Sequence, residues 1–502
     1  MGKRIGSILY VRLKCPEIYP AGVVYLADYV HKKRPHVDQW VLDMVRVSER
    51  EEVAVLLEEI EKRDPDAVAF SWRNLQPFSP NEDDDSLSQA FTFYHSSNPA
   101  KKAGAAIRGL QRVMAYNSRI KKNLALLHTV KRHFPEKQIV AGGPAFGLFL
   151  DRITERAPEG TIAVASEGER VLVKLIDGEE LSDERTAIKR DGTLVFGEKK
   201  EYFDLWNEST PVDFDYIESI FPDFNYYMQD KFRDWYEVSV LTKRGCPYKC
   251  MFCAYGYIDG YKVRYRQPEV VVDEIENLVK RYDVRKLWFC DSQFYPSRHS
   301  LPIVESTLDG IIDRRLDIRW ASYLRIDNFT PSLTHKMVES GLRQLRLSIT
   351  SGSPAIIKGL RIGMRLDNFY RSCRFLVDAG YEGLINLDLS LNAPGETPET
   401  ILETVETVEK IASIFKPGQV RPFIIFLAVQ PKTKLADYAI SKGYLKSDFD
   451  PLALNPFTIK GLIHNPPPLG RPIGKAVMDA MENHPDKVGW TVLNELKELY
   501  SG

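Results

Sequence analysis

Twice along its 502 residues the chain alternates short apolar runs of strand length with stretches of helical periodicity, and that rhythm limits its fold more than any other feature. In the first pass the strand-like runs are residues 5–11, 40–44, 67–72, 138–142 and 162–166, with helical stretches at 21–33, 53–62 and 124–134. Val24, Leu26, Ala27 and Val30 are the apolar positions of the first helix, and Gly142-Gly143-Pro144 stops the fourth strand. Such alternation predicts a parallel, doubly wound sheet whose ligands sit beyond the carboxyl ends of its strands. From Val238 a second pass begins. Its strands are predicted at 238–242, 286–291, 318–323, 345–350, 384–391 and 422–430, with helices at 268–281, 301–314, 333–340, 367–379 and 398–415. Six strands are too few for a closed eight-stranded barrel, so a partial (β/α)6 barrel is expected.

The length suggests about 3 domains. The chain divides into an α/β domain over 1–180, a connector over 181–235, the partial barrel over 236–445 and an α-rich extension over 446–502, broken by Pro466-Pro467-Pro468. The connector holds an expected hairpin turned at Asp191-Gly192 and the aromatics Phe221, Phe224, Tyr226, Tyr227 and Trp235, which with Tyr236 just beyond it pack a domain junction at this density. One insertion, residues 76–123, carries the acidic run Glu82 to Asp85, expected as a solvated loop, then Phe91, Phe93 and Tyr94 and a basic helix-like stretch. Loops this long are more often functional or disordered than idle.

A net charge of −1 leaves no broad footprint for nucleic acid or membrane. The apolar run 423–429 is far short of the roughly 20 residues of a spanning helix. No secretory signal is visible, and Gly6 stands where myristoylation wants Ser or Thr. Of six cysteines, Cys246, Cys250 and Cys253 cluster while Cys15, Cys290 and Cys373 are scattered, a pattern that fits metal binding in a reducing cytoplasm rather than a disulfide framework.

Arg244-Gly245-Cys246-Pro-Tyr-Lys-Cys250-Met-Phe-Cys253 is C-x3-C-x2-C and follows a predicted strand directly. Three thiolates on one loop can hold three irons of a cubane and leave the fourth iron open, where a ligand can chelate. A four-cysteine structural site would be closed. The motif, with Phe252 between its last two cysteines, resembles the radical S-adenosylmethionine (SAM) superfamily. That resemblance covers residues 236–440 and implies a [4Fe–4S] cluster on Cys246, Cys250 and Cys253, SAM on the open iron, and Phe252 near the adenine. It extends to Cys290-Asp291-Ser292 after the second barrel strand, where Asp291 would contact SAM, and to Ser348-Ile-Thr350-Ser351-Gly352-Ser353, which is similar to G-I-E-S-G-S. There Ser348, Thr350 and Ser351 would contact the cofactor, although Ser348 and Thr350 depart from the family's Gly and Glu. Asn392-Ala-Pro-Gly-Glu396-Thr is similar to G-x-P-G-E-T and adds Asn392 and Glu396.

A doubly wound domain ahead of such a barrel resembles the cobalamin-binding, Rossmann-like domain of the B12-dependent radical SAM class. The resemblance rests on Tyr25-Leu-Ala-Asp-Tyr29, the run 64–71, Ala141-Gly142-Gly143-Pro144 and Ser166-Glu167-Gly168-Glu169. It implies that Ser71, Gly142, Gly143, Pro144, Glu167 and Gly168 bind cobalamin, since small residues at strand ends let backbone approach a bulky cofactor. Asp43 is followed by Met-Val-Arg, so the D-x-H-x-x-G that supplies a cobalt-ligating His elsewhere is missing. Ser71-Trp72-Arg73-Asn-Leu-Gln is similar to the tryptophan 2-C-methyltransferases, which implies that Trp72 and Arg73 lie at the corrin and Arg73 below the cobalt. A guanidinium has no lone pair to donate, so it would keep the lower face unligated.

Together these resemblances imply a cytoplasmic, cobalamin-dependent radical SAM methyltransferase that passes a methyl group from SAM, via methylcobalamin, to a carbon of a small molecule such as an indole. Arg73 and Tyr323 are the expected catalytic residues, and Arg325 and Glu396 could line the substrate space with Tyr323. Flavodoxin or ferredoxin would supply electrons; no nucleic acid or membrane partner is expected. The alternatives are a cobalamin-dependent cyclisation or rearrangement, or an Fe–S protein that does not cleave SAM.

Overall fold

The computed structural model describes residues 4–73, 86–165, 167–229, 238–455 and 459–501. The acidic run 82–85, Asn74 to Gln76, Ser166, Trp235 and Tyr236 lie outside these described residues.

The first sheet runs β1 (Ser7–Arg12), β2 (Asp38–Asp43), β3 (Ala67–Ser71), β4 (Gln138–Gly142), β5 (Ile162–Val164), β6 (Thr186–Arg190) and β7 (Thr193–Phe196). In space the order is 2-1-3-4-5-6-7; β1 to β5 are parallel, and the β6–β7 hairpin adds antiparallel. The order reverses between β1 and β3, the switch point at which doubly wound sheets open a crevice. Asp191 and Gly192 both take positive φ, as a two-residue hairpin turn of this hand requires. Helices α1 (Ala21–Lys33), α2 (Glu52–Arg63), α3 (Ser86–His95), α4 (Pro99–His133), α5 (Pro144–Arg156) and α6 (Gly168–Asp177) complete this lobe.

Beyond residue 85 the insertion is helical, in α3 and α4, as the helix-like stretch expected there suggests. Asn98 caps α4 by accepting from Ala100 N at 2.9 Å and Lys101 N at 3.3 Å, and Pro99 starts the first turn without a lost N–H. At 35 residues α4 is about 50 Å long, and the stretch expected at 124–134 is only its last third. Gly104 and Gly109, with Ile107, Leu110 and Met114 exposed, blur the periodicity of its first half.

Short helices α7 (Leu205–Glu208) and α8 (Phe214–Ile220) lie in the connector, where Phe221, Phe224 and Tyr227 are buried in a core continuous with both sheets. The second sheet is all parallel, in the order β8 (Val238–Val240), β11 (Lys286–Phe289), β12 (Arg319–Tyr323), β13 (Leu342–Thr350), β14 (Leu384–Ser390) and β15 (Val420–Ile425). Between β8 and β11 a small ribbon pairs β9 (Lys243–Arg244) with β10 (Arg264–Tyr265). The helices are α9 (Tyr255–Ile258), α10 (Pro268–Tyr282), α11 (Leu301–Asp313), α12 (Pro331–Glu339), α13 (Pro354–Gly359), α14 (Leu366–Asp378), α15 (Pro398–Ala412) and α16 (Lys434–Ser441). Among the described residues β8 and β15 do not pair with each other, so the barrel is open. No helix among the described residues is long and apolar enough to cross a membrane.

The extension closes the barrel's outer edge. β16 (Leu427–Ala428) pairs with β17 (Ile463–His464), and α17 (Gly470–Asn483) and α18 (Val488–Tyr500) follow. Trp490 Nε1 donates to Val420 O at 3.3 Å, and Gly489 sits so tightly that an added Cβ would lie 1.9 Å from Pro422 O. Gly489→Ala is therefore expected to destabilise the protein by about 2–4 kcal/mol, read from its denaturant midpoint.

Candidate active site

The C-x3-C-x2-C loop leaves β9 through Gly245, whose φ of +83° only glycine adopts freely and whose added Cβ would lie 2.1 Å from Lys262 O. The β9–β10 ribbon closes the loop at its base, with Arg244 opposite Arg264. Backbone ties hold it elsewhere: Cys246 N donates to Gly260 O at 3.1 Å, Met251 N to Leu360 O at 2.9 Å, and Leu435 N to Met251 O at 2.9 Å. Asp291 braces the entry, accepting from Thr242 N at 3.0 Å, Lys243 N at 3.1 Å and the Thr242 hydroxyl. Lys243 Nζ reaches Gly245 O at 2.9 Å. On the far side Arg325 lies 4.0 Å over the Tyr248 ring, anchored on Asp327 at 2.9 and 2.8 Å.

The three thiols of the loop are partly buried and unbridged. Burial, then the nearness of the other thiols, pushes Cys250 up to about 12; burial, with Cys246 also raising it, pushes Cys253 up to about 11. These groups ionise only if positive charge arrives among them, as iron supplies. Among the described residues no three His, Cys, Asp or Glu close on a single point as one metal ion demands.

Beside this loop opens a cavity of about 610 Å³, within the range of small-molecule sites. Its walls come from both halves of the chain. Ser71, Arg73, Gly142, Gly143, Pro144, Glu167 and Gly168 line it at the carboxyl ends of β3, β4 and β5; Phe252, Cys253, Tyr255, Asp259 and Cys290 line it from the barrel side. Gly143 has φ +105°, and its added Cβ would lie 2.4 Å from Trp72 O. Gly22 of α1 also lines the wall, and a Cβ there would meet nothing within 4 Å, so its absence leaves room for a ligand.

Trp72 does not face this space. It is 3% exposed, packs edge-on to Phe146 at 6.2 Å, and sends its backbone N–H to Gly142 O at 2.8 Å. Ser71 and Arg73 line the cavity while the residue between them turns away, as strand alternation dictates. Burial lowers the pKa of Arg73. Cys15, Arg12, Tyr255 and Tyr323 also act on its charge. Tyr323 is 37% exposed and stands edge-on to Trp288 at 5.2 Å.

The other predicted barrel residues lie off the cavity wall, in contacts within the protein. Ser351 is fully buried, with its hydroxyl 3.1 Å from that of Thr404. Asn392 donates to Asn465 Oδ1 at 2.7 Å and Pro466 O at 2.9 Å, tying the barrel to the extension. Ser348 donates to Asp388 at 3.1 Å. Thr350, 1% exposed, takes φ +65° at an irregularity between β13 and β14, a strained conformation for a β-branched residue. The side chains of Asp291, Ser351 and Asn392 are thus engaged within the protein. Tyr25 and Cys290, which open two of the quoted motifs, also stand on the wall; Tyr255 and Asp259 are wall residues the sequence did not single out, and Tyr255, two residues after Cys253, was the more findable.

Glu396 accepts from the Thr400 hydroxyl at 2.8 Å and Ala393 N at 3.3 Å, yet burial pushes it up to about 7. Its folded pKa exceeds the unfolded value, so its contribution is fully present below about 4.5 and is lost as pH rises through about 7. Glu396→Gln should therefore gain up to about 3 kcal/mol over wild type at pH 8 and show no such difference at pH 4, measured by denaturant titration.

Residues 240–408 match the family model of the Radical SAM superfamily. The chain is 25% identical over 311 residues to an uncharacterized methyltransferase, PH0819, of Pyrococcus horikoshii, covering 61% of this chain and 64% of that relative's length. It is 27% identical over 186 residues to tryptophan 2-C-methyltransferase of Streptomyces laurentii, 34% of this chain and 30% of that one. The fold matches the radical S-adenosylmethionine methyltransferase TsrM of Kitasatospora setae, solved with cobalamin and a [4Fe-4S] cluster bound: the TM-score is 0.66 at 18% identity, over 90% of this chain and 80% of that one.

Proposed function

From the premise that residues 240–408 form a radical SAM domain, we propose that this chain is a cobalamin-dependent methyltransferase acting on a carbon of a small molecule. The observation that carries the proposal is the shared cavity, walled by the strand ends of the doubly wound lobe on one side and by the C-x3-C-x2-C loop on the other. The fold it shares with TsrM, a protein solved with both cofactors, supports it.

Cys246, Cys250 and Cys253 would hold the cluster; Ser71, Gly142, Gly143, Pro144 and Gly168 would hold cobalamin. When bound, the cluster offers an open iron to SAM and cobalamin offers a carrier for a methyl group. The chain's own part is alignment and exclusion of water. Arg73 keeps a fixed cation on the cavity wall and offers no lone pair to a metal. Phe252, beside Cys253, supplies an apolar surface of the kind that packs a purine. Tyr255 shares the cavity wall with Arg73 and would help to orient a polar substrate, with Tyr323 near enough to act on the Arg73 charge. An indole such as tryptophan is the first substrate to test, because the S. laurentii relative is named for it. The electron donor would be a flavodoxin or ferredoxin.

The test is anaerobic production with hydroxocobalamin, followed by incubation with deuteromethyl-SAM and tryptophan. About 4 iron and one corrin per chain, with a labelled methyl on a substrate carbon, is the expected result. Iron without corrin would sink the cobalamin proposal. Both cofactors with label in no member of an indole and amino-acid panel would favour ring formation or rearrangement.

A further inference from the structure

Between the cavity and the cluster loop lies a buried group of charges. Glu167, which precedes α6, is the acceptor at its centre, with a side chain 7% exposed. One carboxylate oxygen accepts from Lys199 Nζ at 2.5 Å and Phe203 N at 3.1 Å. The other accepts from Arg244 Nη1 at 3.4 Å and from Arg264 Nη1. Glu169 takes the second nitrogen of Arg244 at 2.6 Å. A carboxylate has about four acceptor sites, and four donors meet this one. Nothing is left over for a cofactor, although Glu167 stands on the cavity wall and was expected to bind one.

The two arginines identify its role. Arg244 and Arg264 face each other across the β9–β10 ribbon, the two ends from which the cluster loop springs. Arg264 also donates to Asp259 O at 2.9 Å, inside that loop. We propose that Glu167 is a positioning residue which, by gripping Arg244 and Arg264 together, fixes the cluster loop at a set distance from the strand ends of the first lobe. The inference deepens the proposed function and rests on its assignment of the loop and the cavity. Burial alone would raise this carboxyl, but Arg244, Lys199 and Arg264 bring it down to about 2, in keeping with a carboxylate that stays ionised.

Hydrogen–deuterium exchange on wild type and Glu167→Gln, each with its cluster reconstituted and no corrin added, tests this directly. Exchange in residues 244–265 should be at least about tenfold faster in the variant, with β13 and β14 unchanged and iron content equal. With corrin present, kcat for methyl transfer should fall by about tenfold or more while KM for SAM stays within about twofold. Should Glu167→Gln fail to fold, Arg264→Lys keeps the charge but loses the planar fork, and should show the same local acceleration. Unchanged exchange in the ribbon overturns the proposal, as does loss of corrin with unchanged exchange, which would make Glu167 a cofactor contact. A wild-type protein that takes up no corrin would instead defeat the cobalamin assignment and leave the exchange result standing.

Discussion

Cys250→Ala should leave anaerobic purification with less than about 1 iron per chain against about 4 in the wild type. Its methyl transfer should fall by at least about 10³-fold, or some 4 kcal/mol of barrier. The thiol forms no disulfide among the described residues. It sits in a loop fastened by backbone bonds that do not use its side chain, so the fold should persist. Iron analysis beside a far-ultraviolet spectrum checks both halves. Full iron in the variant would mean that the loop is not the cluster's seat.

Arg73→His should have the second largest effect. Arg73 lines the cavity, and a cation there cannot donate an electron pair. An imidazole can. If the corrin lies over this position, the variant should show a nitrogen-ligated cobalt spectrum, and methyl transfer should drop about 10²-fold. Arg73→Lys, which preserves the charge, should retain activity within about tenfold of wild type. An unaltered cobalt spectrum in Arg73→His, with corrin bound, would move the cofactor's lower face elsewhere.

Much of the fold could be read from the sequence because it is encoded locally. Strand alternation, the Asp191-Gly192 turn and the Gly-Gly-Pro stop after β4 each act over a few residues. The cluster motif is legible for the same reason. The missed features depend on distant partners. Nothing near Met251 indicates that its backbone is gripped by residues 360 and 435, or near Asn392 that Asn465 waits for it. α16, which supplies Leu435, was hidden in the chain after an expected strand that ran on to Gln430. Trp72 is a different case: its neighbours Ser71 and Arg73 face the cavity, and strand alternation alone could have turned it away. Glu167 was noticed for its place at a strand end, but its partners come from three other segments, and they decide what it does.

The backbone ties at Met251 also carry a timetable. The thiols at 246–253 are made early, but the segment that grips the loop through Leu435 follows about 180 residues later. At about 5–20 residues per second, a ribosome needs roughly 10–40 s to bridge that gap. For that interval the nascent chain carries three thiols on a loop with one of its fasteners missing. Until residue 435 is made, the loop is held less firmly than in the finished fold.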